Sequence, residues 1–338
     1  MSHTKKLGIV AGVLLAMVAI LSVFLFAPHE AVEESVIQTQ TEKVQKDMVP
    51  VVDGVTPIYA TVIMHNEEPN SGRYPNFVED EEAFWLHRDA VVEFATRLTK
   101  AGGSFHYQSD WTFLLAATMF DNGTPSTNDK NFLRYLKEDL GVMIDPHAHE
   151  KTYSYADVVY LIEQLGVESS HTVGGFIGAP AESSKLEYFW RPIQGDVYKG
   201  EVWKPEILWG AGTSNHKNEE ELWISGIWKP SGNDEFTTHD DRAKLPHVGG
   251  FKTDFTGLDV LLKAQEDGEL EEGKIWTMNI FEGQTSIVEP GEIDRFIEEF
   301  ETYKENVDNG DLVWTDMETM VDLWEAAGEQ PSQYFWVQ

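Results

Sequence analysis

Ile58-Tyr-Ala-Thr-Val-Ile-Met64 runs directly into His65-Asn66-Glu67-Glu68-Pro69, and this junction decides the fold. An apolar, β-branched run of this length has the character of a buried parallel strand. Ligand-type side chains immediately after it mark the strand's C-terminal end, where parallel α/β folds keep their chemistry.

The same alternation continues outward. Glu79 to Lys100 carries helical spacing (Phe84, Ala90, Val91, Phe94, Leu98) and stops at Gly102-Gly103. Ser104 to Gln108 is a second predicted strand, Asn131 to Leu140 a helix, and Val142-Met-Ile144 a third strand. A helix over Tyr155 to Leu165 follows. Near the C-terminus, Lys274–Phe281 and Leu312–Thr315 are expected strands, with helices over Pro290–Tyr303 and Asp316–Ala327. Strand–helix repeats imply parallel strands with helical crossovers. The expected fold is α/β, a distorted (β/α)7-type barrel over 57–338. Its middle, from about Val173 to Asp254, is rich in Trp, Gly, Pro and His and is expected to form strands and long site-shaping loops.

Toward the N-terminus, Lys5 and Lys6 precede an uncharged run from Leu7 to Ala27. As a helix it spans about 31 Å, enough for a bilayer core. Basic residues before it and Glu30, Glu33 and Glu34 after it place the folded part outside the cytoplasm. Residues 1–27 are thus an expected membrane anchor, with a cleaved signal segment as the alternative. Residues 28–56 form an expected acidic tether. The chain has no cysteine, so neither disulfides nor a lipoprotein attachment is available.

Acidic side chains number 58 and basic ones 25, a formal charge of −33. Such a surface repels nucleic acid and anionic headgroups. With 11 Trp, 11 Tyr and 18 Phe, the composition suits a carbohydrate partner.

Three strand ends are unusually polar: His65-Asn66-Glu67-Glu68, then His106, Gln108, Asp110 and Trp111, then Asp145-Pro146-His147-Ala148-His149-Glu150. Side chains alternate along an extended chain, so His65 and Glu67 share a side, as do His147 and His149. Three imidazoles and a carboxylate are the ligand types of Zn²⁺, with Fe²⁺ or Mn²⁺ as alternatives. A metal-free polar site and a structural histidine network are the competing readings. Asp110 is either a catalytic carboxylate or a helix N-cap. Glu150 is a general base, a hydrogen-bond partner of a metal-bound histidine, or exposed. Trp209 belongs either to the core or to a sugar-binding wall. Glu282, after the Trp276–Phe281 run, is placed at a strand end on the same side of the barrel.

From about Pro57 to Ala327 this layout resembles the polysaccharide deacetylase (NodB-homology) group of the glycoside hydrolase/deacetylase superfamily. Asn66-Glu67-Glu68-Pro69 stands where that family has its Asp-Asp motif, so the resemblance assigns Glu67 to the metal and puts an amide, Asn66, at the base position. Gly141-Val-Met-Ile-Asp-Pro-His147 is similar to the second motif, with Lys151 in the second histidine's place and His149 substituting. Arg191-Pro192-Ile-Gln-Gly195 corresponds to the third motif and brings Arg191 to the substrate, beside Trp111 and Trp209. The resemblance implies a metal-dependent carbohydrate deacetylase in which Asp110 or Glu150 accepts the proton. A catalytically inactive glycan-binding barrel is the alternative. A glycosidase pairing Glu67 or Glu68 with Asp110 or Glu282 is a minor one.

Overall fold

The computed structural model describes residues 56–69, 73–149, 152–177, 186–211, 224–232 and 235–335. The expected anchor, nearly all of the tether, Glu150, Lys151, His216 and Trp223 lie outside the described residues. Among the described residues no helix is long and apolar enough to cross a membrane.

The central strand β1 is Ile58–His65. Along one side it pairs in parallel with β8 (Trp276–Gly283) over its whole length. On the other side its first half meets β9 (Leu312–Trp314) and its second half β2 (Phe105–Ser109), both in parallel. The strand β3 (Met143–Pro146) follows β2. A parallel bridge from His147 to Gly174 joins this sheet to β4 (Thr172–Ile177), which pairs with β5 (Ile207–Ala211). Next comes β6 (His247–Val248), and two residues further on β7 (Phe251–Lys252) pairs with β8. Every strand pairing on this path is parallel, while β6 and β7 are joined by the chain itself rather than by a ladder. The turn between β6 and β7 passes too close to its neighbour for a side chain. A Cβ on Gly250, at φ +96°, would lie 2.3 Å from the Thr277 carbonyl oxygen.

Helices fill the crossovers: α1 (Glu81–Lys100), α2 (Trp111–Phe120), α3 (Tyr155–Gln164), α4 (Thr256–Glu266), α5 (Glu292–Glu301), α6 (Lys304–Asn309) and α7 (Met317–Ala326). Asp80, Asp110 and Asp316 cap α1, α2 and α7 with side-chain oxygens, and Ser154 forms a capping box with Asp157 on α3.

Period-two alternation divides the core. Ile58, Ala60, Val62 and Met64 of β1 join the large cluster beneath the helices, with Phe84, Phe94 and Leu258. Tyr59 and Ile63 face the other way, into a second cluster with Ile207, Trp209, Val248, Met317, Met320 and Trp324. Two buried layers, one on each face of the strands, explain why β1 is apolar throughout rather than alternating.

Candidate metal centre

Beyond Met64 the pleat of β1 carries the site. His65 and Glu67 turn to one side, and Asn66 between them turns to the other. The Glu67 carboxylate gathers three imidazoles. His65 Nε2 lies 2.9 Å from its Oε1, and His149 Nε2 2.6 Å from its Oε2. His147 Nε2 stands 3.7 Å from Oε2, beyond hydrogen-bond reach. Donor atoms of His65, Glu67 and His147 all lie within 4.8 Å of one another. The His65 and His147 rings stack at 4.3 Å, and His149 stands edge-on to His147 at 4.9 Å. Exposure rises across the cluster, from 1% at His147 to 22% at His149 and 24% at Glu67, so one side opens to solvent.

Two contacts orient this set. His147 donates its Nδ1–H to the Gly174 carbonyl at 2.7 Å. The Glu67 backbone N–H donates to Gln284 Oε1 at 2.7 Å. With its Nδ1 proton held by Gly174, His147 turns the Nε2 lone pair toward Glu67, and that buried nitrogen has no hydrogen-bond partner. A histidine fixed in this way by a backbone carbonyl is the usual preparation for a metal ligand. Burial pushes the Glu67 carboxyl upward, but the three imidazoles outweigh it and hold the group well below the ordinary carboxylate range. The imidazole nitrogens of His65 and His147 with the Glu67 carboxylate fit a divalent transition ion, and His149 joins them through its contact with Glu67.

The other anticipated residues fall in different places. Asp110 is fully buried and caps α2, accepting from Thr112 Oγ1 at 2.7 Å and from the Thr112 and Phe113 backbone N–H groups at 3.3 Å each. Burial raises its carboxyl to about 7, against the pull of those hydrogen bonds. Trp111 begins α2, partly exposed and stacked on Tyr153. Trp209 is buried in the inner cluster, edge-on to His65 at 6.3 Å, so its ring is wall rather than open sugar platform. Arg191 is exposed, next to the hairpin of Ile193–Gln194 with Val202–Trp203.

Asn66 is wholly buried. Its Nδ2 donates to the Tyr107 hydroxyl at 2.8 Å, and its Oδ1 receives the Nε2–H of His87 at 2.8 Å. It therefore faces away from the cluster. Glu282 also turns away from the cluster, hydrogen-bonded to Ser286, and a carboxylate pair with Glu67 is not formed. It lies at the expected strand end, level with Met64 of β1, but on the outward face of β8 with Met278 and Ile280.

The sequence reading missed Gly174, Gly175 and Gln284. An adjacent glycine pair inside an apolar run was the available signal, since it marks a bulge or a close backbone approach. The register between β4 and β5 does shift between Val173 and Phe176. Below the cluster, Asp145 receives hydrogen bonds from His106 Nδ1 at 2.8 Å, Ser170 Oγ at 2.5 Å and Gln108 Nε2 at 3.2 Å, all buried.

No family model matches the chain, and no curated protein matches it in sequence. Its structure is similar to that of a Parabacteroides distasonis protein described as a glycoside hydrolase/deacetylase. That likeness has a TM-score of 0.50 at 11% identity, covering 82% of this chain and 73% of the other. Puue allantoinase aligns over 84% of this chain and 96% of its own, with a TM-score of 0.49 at 9% identity. At such identity the likeness is one of fold: an α/β fold with a parallel central sheet, similar to that of a glycoside hydrolase/deacetylase.

Proposed function

We propose that this chain is a metal-dependent hydrolase of carbohydrate working outside the cytoplasm, most simply a deacetylase-like carbohydrate esterase on a distorted (β/α)7 barrel. One observation carries the reading: three imidazoles converge on Glu67, and Gly174 locks the buried His147 with Nε2 toward that carboxylate. His65, Glu67, His147 and His149 hold the ion, Zn²⁺ by the nature of the donors, with Fe²⁺ or Mn²⁺ accommodated by the same set. When bound, such an ion polarises an acyl carbonyl and lowers the pKa of a water.

The chain's own residues supply the rest. Gln284 fixes the Glu67 backbone and Gly174 the His147 ring, so the donors are set before substrate arrives. Asp110 is engaged at the α2 cap, and Glu150, adjacent to His149, takes the proton in this reading. The Leu7–Ala27 run tethers the domain to the membrane.

The test is elemental analysis and acetate release from acetylated glycans, wild type against His147→Ala. Near-stoichiometric metal and acetate release should both be lost in the variant. Unchanged metal and unchanged hydrolysis would sink the reading. A glycan-binding barrel without catalysis is favoured by one observation, the amide of Asn66 turned into the core. It predicts glycan binding with no product under any metal.

A further inference from the structure

The two stacked imidazoles of the centre are held unequally. His147 gives its Nδ1–H to the Gly174 carbonyl, whereas the buried Nδ1 of His65 has no hydrogen-bond partner among the described residues. His65 Nε2 lies 2.9 Å from Glu67 Oε1. A carboxylate only accepts, so without an ion the ring proton sits on Nε2. An ion at Nε2 takes that place and leaves the proton on Nδ1, where it needs an acceptor.

One acceptor of the right kind stands beside it. Gln108 is the cross-strand partner of His65 in the β1–β2 register, and paired positions of neighbouring strands turn to the same face. Its amide is wholly buried and fixed in orientation. Nε2 donates to Asp145 Oδ2 at 3.2 Å, and a flipped amide would set two acceptors against each other. Asp145 stands on β3, across β2 from His65, so Oε1 is the end left toward β1. Gln108 Oε1 has no hydrogen-bond partner among the described residues either. Leaving a buried acceptor open destabilises a fold until something satisfies it. The β4 bulge closes over both groups. A Cβ on Gly174 would lie 3.1 Å from Gln108 Cδ, and one on Gly175 3.2 Å from His65 Nδ1.

We infer that Gln108 is the positioning residue of His65: with the ion bound, its Oε1 accepts the His65 Nδ1–H, directly or through one buried water. This rests on the metal centre proposed above. His106 and Ser170 hold Asp145, Asp145 holds the Gln108 amide, and the amide holds His65. A backbone carbonyl thus orients one ring of the stacked pair, and a side-chain carbonyl the other.

The test is zinc affinity of the full chain, by competition with a metal chromophore, in wild type, Gln108→Leu and Ser170→Ala. Each substitution removes a donor to Asp145, so each should lower the melting temperature. Only Gln108→Leu also removes the acceptor for His65. It should bind zinc about 10- to 100-fold more weakly, and Ser170→Ala as tightly as wild type. In zinc-loaded wild type carrying isotope-labelled histidine, the His65 Nδ1–H should exchange slowly with solvent. Wild-type affinity in Gln108→Leu, or an equal loss in Ser170→Ala, would overturn the role of Gln108. So would a fast-exchanging His65 Nδ1–H in wild type, a measurement that stands even if the leucine variant fails to fold. A wild type that takes up no zinc would overturn the metal centre itself, and the role of Gln108 with it.

Discussion

The rings of His65 and His147 lie face to face, 4.3 Å between centroids and 14° from parallel, although β2 separates their strands. Gln108 on β2 hydrogen-bonds to Asp145 and leaves the rings in contact. Behind them sits the β4 bulge. Gly174 holds the Nδ1–H of His147, and a Cβ on Gly175 would lie 3.1 Å from His147 Nδ1 and 3.2 Å from His65 Nδ1. The metal set thus depends on a backbone that approaches two imidazoles at once.

Gly175→Ala should therefore weaken the metal centre more than the fold. The residue has φ +67°, where alanine costs about 1 kcal/mol, and its methyl group would press on both rings. Loss of ring orientation typically lowers metal affinity 10- to 100-fold, by about the effect of removing an orienting partner. Competition titration with a metal chromophore checks this. Wild-type affinity in the variant would mean that the bulge does not set the rings.

Asn66 yields the opposite kind of prediction. Its amide joins His87 to Tyr107 inside the core, and burial keeps His87 neutral, pushing it down to about 3. Replacing Asn66 with leucine leaves the buried His87 N–H unpartnered, at about 1–3 kcal/mol, and takes one of two partners from the Tyr107 hydroxyl, which keeps Ser109. Urea unfolding should show a loss of a few kcal/mol with metal affinity nearly unchanged. Asn66→Asp should bring no gain in hydrolysis, since the side chain points away from Glu67. A rate gain in that variant would contradict the assigned direction.

The buried pair of His106 and Asp145 supports the cluster from below. The Met317 N–H donates to His106 Nε2 at 3.0 Å, so the ring is neutral and its proton sits on Nδ1 toward Asp145. His106→Leu removes one donor to a buried carboxylate and the acceptor of the Met317 N–H, and should cost about 2–4 kcal/mol. Chemical denaturation reads this directly. A loss below about 1 kcal/mol would show that Ser170 and Gln108 satisfy Asp145 without the histidine.

Much of this architecture was legible in the chain because capped, strongly periodic elements speak for themselves. The helix expected over Tyr155–Leu165 is found at Tyr155–Gln164, behind a capping box. The strand expected at Lys274–Phe281 is found at Trp276–Gly283. The α4 helix went unnoticed, as its first residue follows Phe255, which gives no side-chain cap. The helix expected over Asn131–Leu140 turns into a π turn at Tyr135–Asp139, which hydrophobic spacing does not announce. In the site, the shared side of His65 and Glu67 follows from the pleat alone. The part played by Gly175 does not, because it arises from a register shift against β5, a strand far away in sequence. The burial of Trp209 was equally hidden, since an indole on a strand reads the same whether it faces a core or a substrate.

Asp110 connects the fold to pH. Its carboxyl rises to about 7 on burial, against about 3.9 in an unfolded chain. Between those values the native state binds more protons than the unfolded state, so stability falls as pH rises through this window. The stabilising contribution of the neutral form is complete below about pH 4 and lost above about pH 7. Three pH units correspond to at most about 4 kcal/mol, and the α2 N-terminus, which favours the anion, reduces it. Asp110→Asn keeps one cap acceptor and cannot ionise. The stability difference between variant and wild type should then shift in the variant's favour by about 2–4 kcal/mol from pH 4 to pH 8. Urea unfolding at the two pH values measures it. A difference independent of pH would show that Asp110 titrates as an ordinary exposed cap.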